Sequence, residues 1–218
     1  MKKSHSKAFN YYVKAVEREA YAPAHFALGC CYEWGIGTEK DEQQALKHYS
    51  IAAQHGMAIT LYEVARRYED GNGVQQSPWR AVFTYKQAAH LGHPYSQYKL
   101  ALFYYHGTVV EKNYKKAFEF CQAAVEKGVA DGQCLLGMFY QYGIGTTANN
   151  SFAFNLYKQA AEGGDLYAYS HIGNCYKTAL ESSETVGRPL YGMKGVPNKE
   201  ILTDNIVLPN AMKTVLEG

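Results

Sequence analysis

The chain has 218 residues, 47% of them hydrophobic and 19% charged, with a formal net charge of +2. That balance is ample for a packed core, and it argues against the strongly basic footprint of a nucleic-acid or membrane-surface binder. No stretch approaches the run of about 18 apolar residues that a membrane-crossing helix needs. The opening MKKSHSKAFNYYVKAVEREA carries lysines but neither an apolar run nor a small-residue cleavage site, so it does not read as a secretory leader. Five cysteines without CxxC spacing suit a reducing compartment better than a disulfide framework, and their default role is small apolar packing. A cytoplasmic location is expected.

The chain begins in the middle of a repeating unit. Ala8, Phe9, Tyr12 and Ala15 match Ala45, Leu46, Tyr49 and Ala52 at a spacing of 37, which places a one-residue insertion in the turn around Glu19 to Pro23. From there the interval is 36: Tyr32, Tyr68, Tyr104, Tyr140 and Tyr176 form one column, and Gly35, Gly71, Gly107 and Gly143 a second. Gly56, Gly92, Gly128 and Gly164 form a third, and Ala45, Ala81, Ala117 and Ala153 a fourth. Several columns keeping one period of this length are the signature of a solenoid built from helical pairs.

Each unit reads as two helices. Helix A is predicted over Pro23 to Trp34, Ile59 to Asp70, Tyr95 to His106, Asp131 to Tyr142 and Tyr167 to about Thr178. Its inner face alternates small residues (Ala24, Thr60, Ser96, Gly132, Ala168) with large ones (Leu28, Val64, Leu100, Leu136, Ile172). Gly29, Ala65, Ala101, Gly137 and Gly173 stay small where two helices come close. Glycine there costs an isolated helix about 1 kcal/mol, so close packing is the reason for it. The loops GIGTEK, GNGVQQ, GTVVEK and GIGTTA follow. Val109 stands where the other loops have their second glycine, and if that position requires a positive φ, this loop needs a different turn.

Helix B starts at the capping residues Asp41, Ser77, Asn113 and Asn149. It runs to Gln54, His90, Glu126 and Glu162, and the glycines at 56, 92, 128 and 164 stop it. At the far end the periodicity lapses after Tyr176: Ala179 stands where the next glycine is due, and residues 181–210 hold three prolines and three glycines without helical spacing. The organisation expected is a solenoid over 1–178 and a non-repeat tail over 179–218, with up to two turns of helix at Asn210 to Leu216. The tail either caps the last unit or hangs free.

The AAxxG helix ends, the LGxxY helix and the GxG loop, as in AAQHG, LGCCYEWGIG, AAHLG, LGMFYQYGIG and AAEGG, closely resemble the Sel-one-like repeat, a relative of the tetratricopeptide repeat. The match covers about residues 5 to 178. The resemblance implies an all-α fold, a right-handed α/α superhelix of about five units, used as a scaffold. Family members serve as adaptors in endoplasmic-reticulum quality control, as activators of fungal chitin synthase, and in bacterial signalling or host interaction.

In a stacked array of this kind the A helices line the concave surface, and three columns on them vary in chemistry at offsets of three and four. The residues expected to contact a partner are Trp34; Glu63, Arg66 and Asp70; Lys99, Leu102 and His106; and Leu135, Met138 and Tyr142. Arg66 is expected to meet a carboxylate, and Leu102, Met138 and Tyr142 to seat an apolar anchor. The function expected is non-catalytic capture of a protein or peptide, without cofactor, nucleic acid or membrane insertion. The rival class is a hydrolase, since some cysteine-rich relatives are described as penicillin-binding or β-lactamase proteins. In those relatives each unit has a cysteine pair bridging its helices, and this chain lacks that regular pairing. It also has no HExxH, GxSxG or P-loop motif.

Overall fold

The computed structural model describes residues 2–18 and 21–186. Among them the chain forms ten helices and no strand: α1 (Lys2–Arg18), α2 (Ala22–Trp34), α3 (Glu42–Gln54), α4 (Ala58–Asp70), α5 (Pro78–His90), α6 (Pro94–His106), α7 (Tyr114–Glu126), α8 (Asp131–Tyr142), α9 (Asn150–Glu162) and α10 (Leu166–Val186). The even-numbered helices are the A helices and the odd-numbered ones the B helices. Each packs on the helices before and after it in the chain, so the fold is a nearest-neighbour stack.

The boundaries follow from local chemistry. The Asp41 carboxylate accepts from the Gln43 and Gln44 N–H groups, Asn113 from Lys116 and Asn149 from Phe152, each satisfying donors that the first helical turn leaves open. Ser77 stands at the same place but makes no side-chain cap; there Pro78 at the first helical position starts α5, its φ already set for a helix. The glycines at 56, 92, 128 and 164 take φ of 78, 84, 88 and 95°, the left-handed conformation that ends each B helix. The last helix departs from expectation. It runs on to Val186 instead of stopping near Thr178, since Ala179 supplies no left-handed stop. The turn expected to hold the insertion includes residues 19 and 20, and the tail helix expected at 210–216 falls in 187–218; both lie outside the described residues.

Two contacts recur along the stack. One is a ring joint between a B helix and the tyrosine column of the A helix beyond it: Phe9 on Tyr32, Phe118 on Tyr140 and Phe154 on Tyr176 meet edge to face at 5.5, 5.3 and 5.6 Å. The other explains the small column. A Cβ on Gly29 would stand 2.5 Å from the Tyr49 ring, and one on Gly137 2.7 Å from that of Tyr157. These glycines let a tyrosine lie flat against the neighbouring backbone.

The loop at Val109 keeps most of the standard turn. Gly107 opens it at φ 70° and its N–H caps Phe103, while Asn113 N–H closes it on the Tyr104 carbonyl at 2.9 Å, as Asp41 does on Tyr32. Ile36, Asn72 and Ile144 each donate to the carbonyl five residues back, and Thr108 does not. In the other loops the second glycine lies against the backbone carbonyl of His5, Glu42 or Tyr114, with no room for a Cβ. Val109 cannot make that approach, and its side chain packs on the core instead.

Candidate functional site

The A helices present their variable columns on the side where successive A helices meet, and ion pairs bridge that seam. The Arg66 guanidinium on α4 binds Glu63 one turn earlier at 2.8 Å and Glu33 on α2. Lys99 on α6 binds Glu69 on α4 at 3.0 Å. Burial opposes the Arg66 charge, but hydrogen bonds and attraction from Glu63 and Glu33 outweigh it and raise the pKa further. Arg66 was expected to meet a partner's carboxylate; its charge is instead matched inside the chain.

Behind this seam lies a polar layer that sequence reasoning missed. The Tyr49 hydroxyl donates to Glu33 at 2.7 Å, that of Tyr85 to Glu69 at 2.6 Å and that of Tyr157 to Gln141 at 2.7 Å. In the third unit both partners change together: Cys121 replaces the tyrosine, and Tyr105 stands at the acceptor position, its ring 5.3 Å from Phe139. A phenol donor with an acceptor 16 residues upstream in the first, second and fourth full units, and both lost in the third, was the signal available in the sequence.

Arg67 is the larger surprise. Its column otherwise reads Cys31, Phe103, Phe139 and Cys175, and its guanidinium is wholly buried. Nη1 pairs with Glu42, and Nη2 lies 3.1 Å from Glu33, close enough for an ion pair but not aligned for a hydrogen bond. Nε has no partner, and the group lies 5.0 Å from the Tyr49 ring centre.

Of the expected contact residues, Glu63, Arg66 and Lys99 are therefore tied into internal pairs. Leu135 and Met138 are half-buried against the core, and Leu102 is half-buried too. Trp34, Asp70, His106 and Tyr142 are exposed, each the last residue of its helix before a left-handed glycine. The part of the stripe that remains open consists of two large rings, one carboxylate and one imidazole.

The cysteines are all free. Burial pushes the Cys121 thiol up to about 12, and burial with Asp165 does the same at Cys134; Cys30 and Cys31 are also raised. Such thiols stay protonated and make poor nucleophiles. Among the described residues no group of His, Cys, Asp and Glu is arranged to hold a metal, and no helix is long and apolar enough to cross a membrane.

A nearest-neighbour stack of helical pairs, with a glycine-stopped B helix in each unit, defines an α/α repeat protein. The chain belongs to the Sel1 repeat family, whose repeat model matches residues 1–19, 22–57, 58–93, 94–129 and 130–165. The interruption at residues 20 and 21 falls in the turn where the insertion was expected. Among solved structures the chain is similar to c5321, a protective antigen of uropathogenic Escherichia coli displaying an SLR fold: 27% identity over 80% of this chain and 37% of that one, TM-score 0.74. It is also similar to a Sel1 repeat protein from Oxalobacter formigenes, with 30% identity over 78% of this chain and 49% of that one, TM-score 0.72. The chain thus spans less than half the length of either. Comparison with curated proteins finds no significant match. Sel1 repeat proteins generally mediate protein–protein interaction.

Proposed function

We propose that the chain is a non-catalytic interaction scaffold whose A-helix face takes an extended peptide or helix of a partner protein. The observation that carries this is the exposure of Trp34 and Tyr142, 70% and 64%. Both rings stand at the end of a rigid helix, at a repeat position where Asp70 and His106 show that the fold needs no aromatic. Large rings held in that way serve as anchors for a binding partner. With Arg66 and Lys99 neutralised internally, the reading favours a partner with apolar anchors over one recognised by charge. It requires no cofactor, and the five unpaired thiols fit a cytoplasmic site of action.

The test is affinity capture from native cell extract, comparing the natural chain with a Leu102→Asp, Tyr142→Ala variant of unchanged helicity. A protein enriched by the first and lost from the second supports the A-face reading. Equal enrichment by both moves the interface elsewhere.

A further inference from the structure

The B helices repeat the same pattern of buried positions, so each serves as a control for the others on the solvent side. At two outward positions and at the residue just past the helix end, the α3 unit has Gln43, Lys47 and His55, the α7 unit Lys115, Glu119 and Lys127, and the α9 unit Ser151, Asn155 and Gly163. At those same positions the second full unit has Trp79, Phe83 and Leu91, which are 66%, 60% and 50% exposed. Trp79 and Phe83 are four residues apart and share one face of α5. Three large apolar side chains exposed at positions where the other three full units have polar residues or glycine do not serve the repeat fold.

The surface around them is shaped. Between α3 and α5, over Leu61 of α4, runs a groove of about 600 Å³ walled on one side by Phe83 and Gln87 of α5 and by Leu91 just past its end. Phe83 also borders a second hollow of about 400 Å³ formed with Tyr68, Trp79 and Arg80. The surroundings are cationic. The α5 sequence PWRAVFTYKQAAH has no acidic residue. Arg80 lies over the Tyr68 ring at 5.6 Å, and Lys86 and Lys116 both lie over the Tyr104 ring, at 5.8 and 5.3 Å. Among the described residues none of Lys47, Arg80, Lys86 and Lys116 has a carboxylate within ion-pair distance.

We propose that this outward face of α5 is a second docking site, independent of the A-helix face, and that it takes an amphipathic helix of a partner protein with aliphatic anchors flanked by Asp and Glu. A groove between two helices accepts a third helix, whose apolar anchors on one face meet Phe83 and Leu91 in the groove. The unpaired cations beside it select acidic flanks. A second copy of this chain fits poorly, because a two-fold contact would set Arg80 and Lys86 against their own equivalents. A membrane surface fits poorly as well, since Phe83 and Leu91 line a groove between helices and do not form one continuous apolar helix face.

The experiment uses two synthetic helices of about 18 residues, long enough to form in part on their own. One has leucines on one face and glutamates elsewhere; the other has lysine for every glutamate. Trp79 emission is followed in a Trp34→Phe background, which leaves one of the two tryptophans. The acidic peptide is expected to bind saturably with a blue shift. Phe83→Asn, which installs the residue found at Asn155, weakens it about tenfold, as loss of a central anchor does. Arg80→Gln with Lys86→Gln weakens it severalfold and flattens its salt dependence. The lysine peptide does not bind, and the Leu102→Asp, Tyr142→Ala variant binds the acidic peptide as the natural chain does, so this site and the A face succeed or fail separately. Equal binding of both peptides, no binding of the acidic one, or insensitivity to Phe83→Asn overturns the proposal. So does either alternative occupancy lost on Phe83→Asn: cosedimentation with phosphatidylcholine–phosphatidylserine vesicles, or a concentration-dependent dimer.

Discussion

The imidazoles of His25 and His48 meet Nδ1 to Nδ1 at 2.9 Å, so one ring donates and the other accepts, and the contact does not survive double protonation. Burial, then the nearby His25 and Lys47, push the His48 pKa from 6.5 to about 4, and burial with His55 also lowers His25. An imidazole kept neutral in the fold takes its proton first in the unfolded chain. Stability is therefore complete above about pH 6.5 and is lost as the pH falls toward 4. The full drop at His48 corresponds to at most ~3 kcal/mol. Its partial exposure reduces that to ~1–2 kcal/mol, of which about 1 kcal/mol should be gone by pH 5. The perturbation is His48→Leu, the residue that α9 has in the same column at Leu156. Urea unfolding at pH 7.5, 6 and 5, with hydrogen exchange of α2 and α3 amides to locate the loss, should show the natural chain weakening more than the variant. His93, also lowered by burial, titrates in both proteins and cancels in the comparison. Equal losses in the two proteins between pH 7.5 and 5 would refute the reasoning.

Gly137→Ala gains about 1 kcal/mol of helix propensity but drives a methyl group into the Tyr157 ring, so urea midpoints should register a net loss of ~1–2 kcal/mol. Tyr85→Phe removes the hydroxyl bond to Glu69 and leaves that carboxylate to Lys99 alone; the expected cost is ~1 kcal/mol in the same assay. Leu100→Ala opens the core and should cost ~2–5 kcal/mol, whereas Leu102→Asp, two positions away and only half-buried, should cost ~1 kcal/mol. If thermal melts place the two leucines together, the division of α6 into core and open faces is wrong.

The stack was legible because each unit restates the same constraints. An αL glycine, a capping oxygen and a small residue under a tyrosine each recur, and the B-helix ends at Gln54, His90, Glu126 and Glu162 fall where that logic puts them. The end of α10 was not legible, since the loss of a glycine stop at Ala179 says only that the helix need not stop there. The A-face residues were partly legible. Periodicity puts Arg66 and Lys99 on the right stripe, but their partners Glu33 and Glu69 belong to the preceding unit, in a column whose role appears only when it is read against the tyrosines of the B helices. The apolar face of α5 was overlooked for a related reason. Trp79 and Phe83 lie on a B helix, away from the variable A-helix columns, and stand out only beside Gln43, Lys47, Lys115 and Glu119.

Arg67 bears on how freely such an array can be edited. Repeat proteins are often treated as strings of interchangeable beads, with copies added or deleted at will. Here one bead is keyed to its neighbour, because Arg67 takes Glu33 from the unit before and Glu42 from the helix between. Duplicating this unit in tandem would offer the second Arg67 an acid at Glu69 but Pro78 in place of Glu42, and the buried cation would lose half its cage. The order of the first two full units is thereby fixed by a buried charge; the next junction has only the partly exposed Lys99–Glu69 pair, and those beyond it are joined ring on ring.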